Sequence, residues 1–333
     1  MIAGVGTAMG PGMGPLMSGP GWMPAAAPTL ARLLAWHPQP IPIFPAGCLL
    51  AGALYFYAAR RLRRRGDAWP PGRTLAFLAG LGVIAEVTGT GIGGYSMEML
   101  SVHMVQHMAL SMLAPPLLLL GAPITLTLRT LHPATHGRRG PRELLVQALH
   151  SKVARILTHP AFTLPLFITS LYGVYFTPLF ALLMHSWWEH DLMLAHFLTV
   201  GLLFFYPLLG VDPGPRHAQP VLGILELFAG MPFHAFFGIA IMMSTGLITP
   251  VFAHPPPTWP ITALSDQNTA GAITWAFAEL PTLLILLALA VQWRRADTRD
   301  ATRHDSNADR DHDAELHAYN AYLAGLAGLG RTP

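Results

Sequence analysis

Two histidines in one apolar stretch have the spacing of a metal site. His103 and His107 lie in "SVHMVQHMALSMLAPPLLLLGAP" at 101–123, and residues four apart face the same side of an α-helix. Two imidazoles placed in this way can ligate one metal ion, as in other helical His-x-x-x-His sites. The alternative use of each histidine is a hydrogen bond to a neighbouring helix, which is common for polar side chains in apolar helices.

Three methionines recur every four residues along the same segment. Met104, Met108 and Met112 lie about 100° around the helix from the two histidines. Thioether sulfur is a soft ligand that favours Cu(I), and imidazole suits copper in either oxidation state. The combination predicts copper rather than zinc, although such a stripe can equally be packing filler in a core.

Other ionisable residues occur at similar depth in other apolar segments. We estimate the depth of each residue below the expected outer end of its helix at about 1.5 Å per residue. The depths are about 8 Å for His103, about 11 Å for His196, about 13 Å for His107, about 15 Å for Glu279 and about 20 Å for His234. Ionisable groups inside a membrane are costly and usually functional. We expect a polar site in the outer half of the bundle, where His196 adds a third nitrogen and Glu279 orients a histidine or accepts a proton.

Two further polar groupings have simpler explanations. His185 and His190 flank a Trp-Trp pair at 187–188, which is typical of an interfacial aromatic belt. Asp266 and Gln267 open the last apolar segment, and their position predicts a helix N-terminal cap.

Composition places these residues in an integral membrane protein. Of the 333 residues, 52% are hydrophobic and 11% are charged, whereas a soluble domain is about 25% charged. Because a helix needs about 20 apolar residues to cross the hydrocarbon core, we predict an all-α, polytopic protein with seven transmembrane helices. They are at 42–60, 74–93, 98–121, 161–184, 189–209, 220–248 and 269–293. The third span should kink or end early at Pro115, Pro116 and Pro123.

The basic residues predict the orientation. Lys and Arg concentrate at 60–65, 129–155, 216 and 294–295, whereas the intervening loops at 94–97, 185–188 and 249–268 have none. Basic loops stay in the cytoplasm, so the N-terminus is outside and the C-terminus inside. The formal net charge of +3 is therefore membrane-orienting charge, and we expect no nucleic-acid partner.

The chain divides into three predicted parts. Residues 1–40 form a Gly-, Pro- and Met-rich extracytoplasmic arm, mostly disordered, whose methionines could capture copper. Residues 41–295 form the seven-helix domain, and residues 296–333 form a flexible cytoplasmic tail with a short helix near 313–327. The single cysteine, Cys48, excludes an intramolecular disulfide and a CxxC site.

Four stretches, in order, resemble the CtaG family of seven-span cytochrome c oxidase assembly proteins. They are "HMVQHMALSMLAPPLLLLGAP" (103–123), "AHFLTVGLLFFYPLLGVDPGPR" (195–216), "MPFHAFFGIAIMMS" (231–244) and "DQNTAGAITWAFAELPTLL" (266–284). "GVDPGPR" and "FHAFFG" are most similar to its actinobacterial branch. The resemblance covers roughly residues 30–295 and implies that His103, His107, His196, His234, Asp266 and Glu279 matter most.

The resemblance implies the maturation of a haem-copper oxidase at the plasma membrane. The expected protein binds Cu(I), holds it at the outer face as a chaperone, and hands it to oxidase subunits in the surrounding lipid. Three alternatives stay open: a copper transporter, a haem-binding protein with His107 and His196 as axial ligands, and a metal-free scaffold. We predict no enzyme, because there is no phosphate loop and no nucleophile elbow.

Overall fold

The chain folds as a helical protein. The structure, a computed structural model, describes residues 18–134, 140–215, 220–310 and 314–329, although some helical side chains from residue 220 onward are outside the description. These residues contain helices and no strand. In chain order the α-helices are α1 (Leu30–Leu34), α2 (Ile43–Arg64), α3 (Pro71–Gly89), α4 (Gly91–Tyr95), α5 (Leu100–Met108), α6 (Ala114–Leu120), α7 (Pro123–Thr130), α8 (Pro141–Leu149), α9 (Lys152–Leu157), α10 (Pro160–Tyr175), α11 (Leu179–Leu183), α12 (Trp187–Leu209), α13 (Pro220–Met243), α14 (Ala263–Arg310) and α15 (Ala314–Leu329). A π-helical turn joins α5 to α6 at Ala109–Leu113, and a 3-10 turn lies at Pro250–Phe252. The predicted all-α class is confirmed.

Four helical segments in the described part of the chain are long and apolar enough to cross a membrane. They are Ile43–Arg64, Leu100–Thr130, Trp187–Leu209 and Val221–Met243, and they contain the first, third, fifth and sixth predicted spans. The other three predicted spans correspond to α3, to α10, which has 16 residues, and to the first part of α14. The number of seven crossings stays a prediction.

A π-helical turn precedes the two prolines of the third span. The N–H of Ala114 donates to the carbonyl of Ala109, five residues back, so the helix widens just before Pro115 and Pro116. Proline has no N–H and its ring clashes with the carbonyl four residues earlier, and a wider turn relieves that clash. The helix then ends at Leu120 before Pro123, as the sequence predicted.

Glycines allow the helices to approach closely. A Cβ on Gly201 of α12 would overlap the carbonyl oxygen of Ser111 in the π-helical turn and would lie 2.7 Å from Cγ of Pro115. At the crossing of α13 and α14, a Cβ on Gly271 would lie 2.6 Å from the carbonyl oxygen of Gly238. Because lipid is as apolar as the side chains, helices in a membrane associate through such close packing.

Residues 18–42, which we call the arm segment, lie across one end of the bundle, the arm end. Trp22 stacks on His37 with ring centroids 3.7 Å apart and meets Tyr95 edge-on. Helices α2, α5, α12 and α14 begin at this end. From Ser18 onward the structure therefore gives the predicted arm defined contacts, and residues 1–17 lie outside the described residues.

Charged side chains fasten the opposite end of the bundle. Arg129 pairs with Asp67, and Asp212 accepts a hydrogen bond from the N–H of Thr125 at 2.7 Å, which caps α7. Beyond the bundle, α14 continues past the predicted end at residue 293 as far as Arg310, and α15 lies where the sequence predicted a short helix.

Replacement of Gly201 by alanine should destabilise the protein by about 1–3 kcal/mol, because the added methyl group overlaps backbone that cannot move without shifting the π-helical turn. The measurement is the melting temperature of the detergent-purified protein. Gly82→Ala is the matched control, since a Cβ at Gly82 on α3 meets nothing within 4 Å. Equal melting temperatures for the two variants would contradict the close crossing.

Candidate metal site

His103 and His190 face each other near the arm end. Each is the fourth residue of its helix, in α5 and α12 respectively, so both lie about 5 Å from the helix start. Their ring centroids are 5.8 Å apart, and their side chains are 0% and 1% exposed. The structure thus places His190 inside the bundle and not in the interfacial belt that the sequence suggested.

A periodicity in α12 could have identified His190. Met193, Phe197 and Phe204 are buried on one face of this helix, and His190 extends that stripe one turn toward the N-terminus at the spacing of an amphipathic helix. His196 falls off the stripe. It is half-buried and shares a hydrogen bond with the hydroxyl of Ser170 on α10.

The paired imidazoles lack hydrogen-bond partners. Within the described part of the chain, neither ring nitrogen of His103 or His190 has one, and the carbonyl of Ser96 lies near His103 without meeting hydrogen-bond geometry. Oε1 of Gln106, one turn along α5, is also unpartnered, while its Nε2 donates to the carbonyl of Val87 at 2.8 Å. Each unsatisfied buried polar group costs about 1–3 kcal/mol. A cluster of them indicates a place for a bound ion or water.

Aromatic rings enclose His103. Its ring centroid lies 5.3 Å from that of Phe180, 5.9 Å from Tyr175 and 6.2 Å from Phe252. These rings come from α11, from the end of α10 and from the 3-10 turn. They surround the fully buried His103 ring, so charges placed here interact in a low-dielectric environment.

His107 has a hydrogen-bond partner of its own. Its Nδ1 lies 3.1 Å from the hydroxyl of Tyr175, and its ring stacks on Phe197 at 3.7 Å between centroids. Tyr175 therefore contacts both predicted histidines of α5. This hydrogen bond is the interhelical role that the sequence left open for a buried histidine.

His234 meets the methionine stripe. Its Nε2 lies 3.4 Å from the sulfur of Met108, and its ring borders a largely apolar cavity of about 220 Å³ that Met112 and Trp275 also line. Met104 is fully buried in the hydrophobic core. Met108 of the methionine stripe thus contacts a histidine, whereas Met104 packs against other hydrophobic side chains.

Asp266 caps a different helix from the one predicted. Its carboxylate accepts hydrogen bonds from the N–H of Leu100 at 2.6 Å and from the N–H and hydroxyl of Ser101, so it holds the start of α5. The start of α14 is instead capped by Thr262 and Ser265, which exchange hydrogen bonds.

Gln267 bonds to the backbone of a loop and not to a histidine. Gln267 accepts from the N–H of Ile248 at 2.8 Å and donates to the carbonyl of Gly246 at 3.0 Å, which fixes the loop after α13. The side chain of Glu279 lies outside the described residues.

The described residues contain no group of three or more His, Cys, Asp and Glu side chains that could hold a metal ion. A tetrahedral zinc site, which needs three or four such ligands, is therefore not formed among them. The arrangement offers a pair of facing imidazoles, His103 with His190, and a separate imidazole–thioether contact, His234 with Met108.

Two small cavities lie between the arm segment and His190. Each has a volume of about 20 Å³, and both are lined by Met97 and Asp191. One reaches His190, and the other reaches Met23 in the arm segment. Glu98, beside Met97, is half-buried.

The sequence model of one protein family, described as cytochrome c oxidase caa3 assembly factor, matches residues 53–296. The chain is 44% identical over 309 residues to uncharacterized proteins of Mycobacterium bovis and Mycobacterium tuberculosis, and 43% identical over 289 residues to one of Mycobacterium leprae. These matches cover 91%, 91% and 86% of this chain but 46%, 46% and 44% of the relatives, so the chain spans about half their length. No solved structure matches the chain.

Asp266→Ala should lower the stability of the protein by about 1–2 kcal/mol, because it removes the cap of α5. The amide hydrogens of Leu100 and Ser101 should exchange faster, and the melting temperature should fall. Asp297→Ala is the control, because Asp297 lies on the same helix with an exposed side chain. Unchanged exchange at both amides would show that Asp266 does not hold this turn.

Proposed function

Because this chain belongs to the cytochrome c oxidase caa3 assembly factor family, we propose that it is a membrane-bound assembly factor that binds Cu(I) and hands it to a haem-copper oxidase. Membership in a family of assembly factors supports a non-catalytic role. Oxidase subunits are the expected protein partners, and membrane lipid surrounds the bundle.

The observation that carries copper binding is the pair of fully buried imidazoles, His103 and His190, with no hydrogen-bond partner among the described residues. Unpaired neutral imidazoles present lone pairs, and imidazole is a copper ligand in either oxidation state. His234 and the thioether of Met108 lie deeper in the same bundle. Copper held at the pair would thus have a second, softer set of donors nearby.

We place the arm end outside the plasma membrane, with seven crossings and the C-terminus inside. This orientation is supported by the basic side chains at the opposite end, where Arg65 and Arg129 fasten the loops, since basic loops remain in the cytoplasm. The histidine pair then lies in the outer leaflet, where copper for an oxidase could be received or released.

Haem ligation is less well supported by the geometry. The proposed axial pair, His107 and His196, is engaged elsewhere, His107 by Tyr175 and His196 by Ser170. The large cavity beside His234 is mostly apolar, which does not favour a path for a copper ion through the membrane.

The test of the proposed function is the copper content and Cu(I) affinity of the detergent-purified chain, compared with a His103→Ala/His107→Ala variant. We expect the wild-type protein to bind Cu(I) and the variant to bind it about 100-fold more weakly or not at all. The same samples are scanned for haem absorbance. His254→Ala, at an exposed histidine, is the control for non-specific binding.

Oxidase maturation in cells provides the second measurement. Cells that depend on the His103→Ala/His107→Ala variant should assemble less active oxidase than cells with the wild-type protein. Wild-type protein free of both copper and haem, together with a variant that still supports maturation, would contradict copper handling and make this protein a metal-free scaffold.

A further inference from the structure

We infer that His103 and His190 bind one Cu(I) ion between them as a two-coordinate site. The inference rests on the proposed function, which it deepens by naming the ligands and the oxidation state. His190 comes from a different helix than the His103–His107 pair that the sequence singled out, so the site joins α5 to α12.

The separation of the two rings fits a bridging metal ion. A metal–imidazole bond is about 2 Å long and a ring nitrogen lies about 1 Å from the ring centre, so a straight nitrogen–metal–nitrogen bridge separates the centroids by about 6 Å. The observed separation of His103 and His190 is 5.8 Å. A direct N–H to N hydrogen bond of about 3 Å would bring the centroids to about 5 Å, and no such bond is formed.

The charge of the ion and the number of available ligands favour Cu(I) over a divalent ion. The charging penalty of an ion in a low-dielectric site scales with the square of its charge, so a monovalent ion pays about a quarter of the penalty of a divalent one. The described residues provide no third His, Cys, Asp or Glu ligand here, which disfavours zinc. Cu(I) is stable with two nitrogen ligands in a line, and the aromatic rings of Phe180 and Phe252 pack around His103 without offering a further ligand.

The surroundings of the pair resemble an outer ligand shell. The carbonyl of Ser96 lies near His103, and a ligating histidine usually directs its other ring N–H to such an acceptor. Because both histidines lie in the first turns of packed helices, the fold itself holds the two rings in place. The unpaired ring nitrogens would gain the partner that burial otherwise denies them.

Two small neighbouring cavities lie between the arm segment and the pair. The cavity that reaches His190 shares Met97 and Asp191 with the cavity that reaches Met23. Thioethers hold Cu(I) weakly and reversibly as soft ligands. The arm segment therefore covers the site and provides donors for an ion on its way to the two histidines.

The test uses the full chain, purified in detergent and loaded anaerobically with Cu(I). Copper per chain, affinity by competition with a chromophoric chelator, and X-ray absorption at the copper edge are measured. We expect one copper with two nitrogen neighbours at about 2 Å. His103→Ala and His190→Ala should each weaken binding about 100-fold or more, and His185→Ala, at an exposed histidine of the same end, should not.

The His190→Met variant shows whether a loss of copper reflects misfolding, and its sulfur identifies the binding site. Methionine fills the space of the imidazole and supplies a soft ligand, so this variant should keep copper but show one nitrogen and one sulfur neighbour. Cu(I) should also raise the melting temperature of the wild-type protein and of His185→Ala, but not that of His190→Ala.

The outcomes separate the two proposals. If the wild-type protein binds copper and His190→Ala binds it equally well, or if His190→Met shows no sulfur neighbour, the pair is not the site, while the proposed function stands. If the wild-type protein binds no copper, the proposed function itself is overturned, and water is the occupant expected at the pair.

Discussion

The carboxylate of Asp266 holds the first turn of α5, and the histidines of that helix depend on it. It accepts from the N–H groups of Leu100 and Ser101 across 166 and 165 residues of sequence, which ties α14 to α5 at the arm end. Inside a bilayer no water can satisfy the first N–H groups of a helix, so they must be satisfied by protein. This cap fixes where α5 begins, and hence the depth at which His103 and His107 face the bundle.

The same rule makes the histidine pair exceptional. Several polar side chains near it have partners: His107 binds Tyr175, Gln267 binds the loop after α13, and Asp266 binds α5. Among the described residues, the ring nitrogens of His103 and His190 and Oε1 of Gln106 have none. A cluster of unsatisfied polar groups inside an otherwise bonded bundle points to something that the cluster holds.

Family membership confirms the resemblance drawn from four short stretches, and it sets the biological frame of oxidase assembly. The structure explains the packing of two of those stretches, 103–123 and 195–216. The prolines of the third span follow a π-helical turn whose backbone packs against Gly201, and π-helical turns often occur at functional sites. Helix α12 contributes both Gly201 and His190, so its close packing also positions the proposed ligand.

Hydrophobic composition was sufficient to predict a helical protein with membrane-type helices, and the spacing of His103 and His107 predicted that both lie on one helix. Sequence could also have identified His190 through the apolar stripe of α12. It could not show that His196 turns to Ser170, or that Asp266 caps α5 rather than its own helix. Those choices depend on which helices become neighbours, because a buried polar group takes its partner from the adjacent helix, whose distance along the chain carries no local signal.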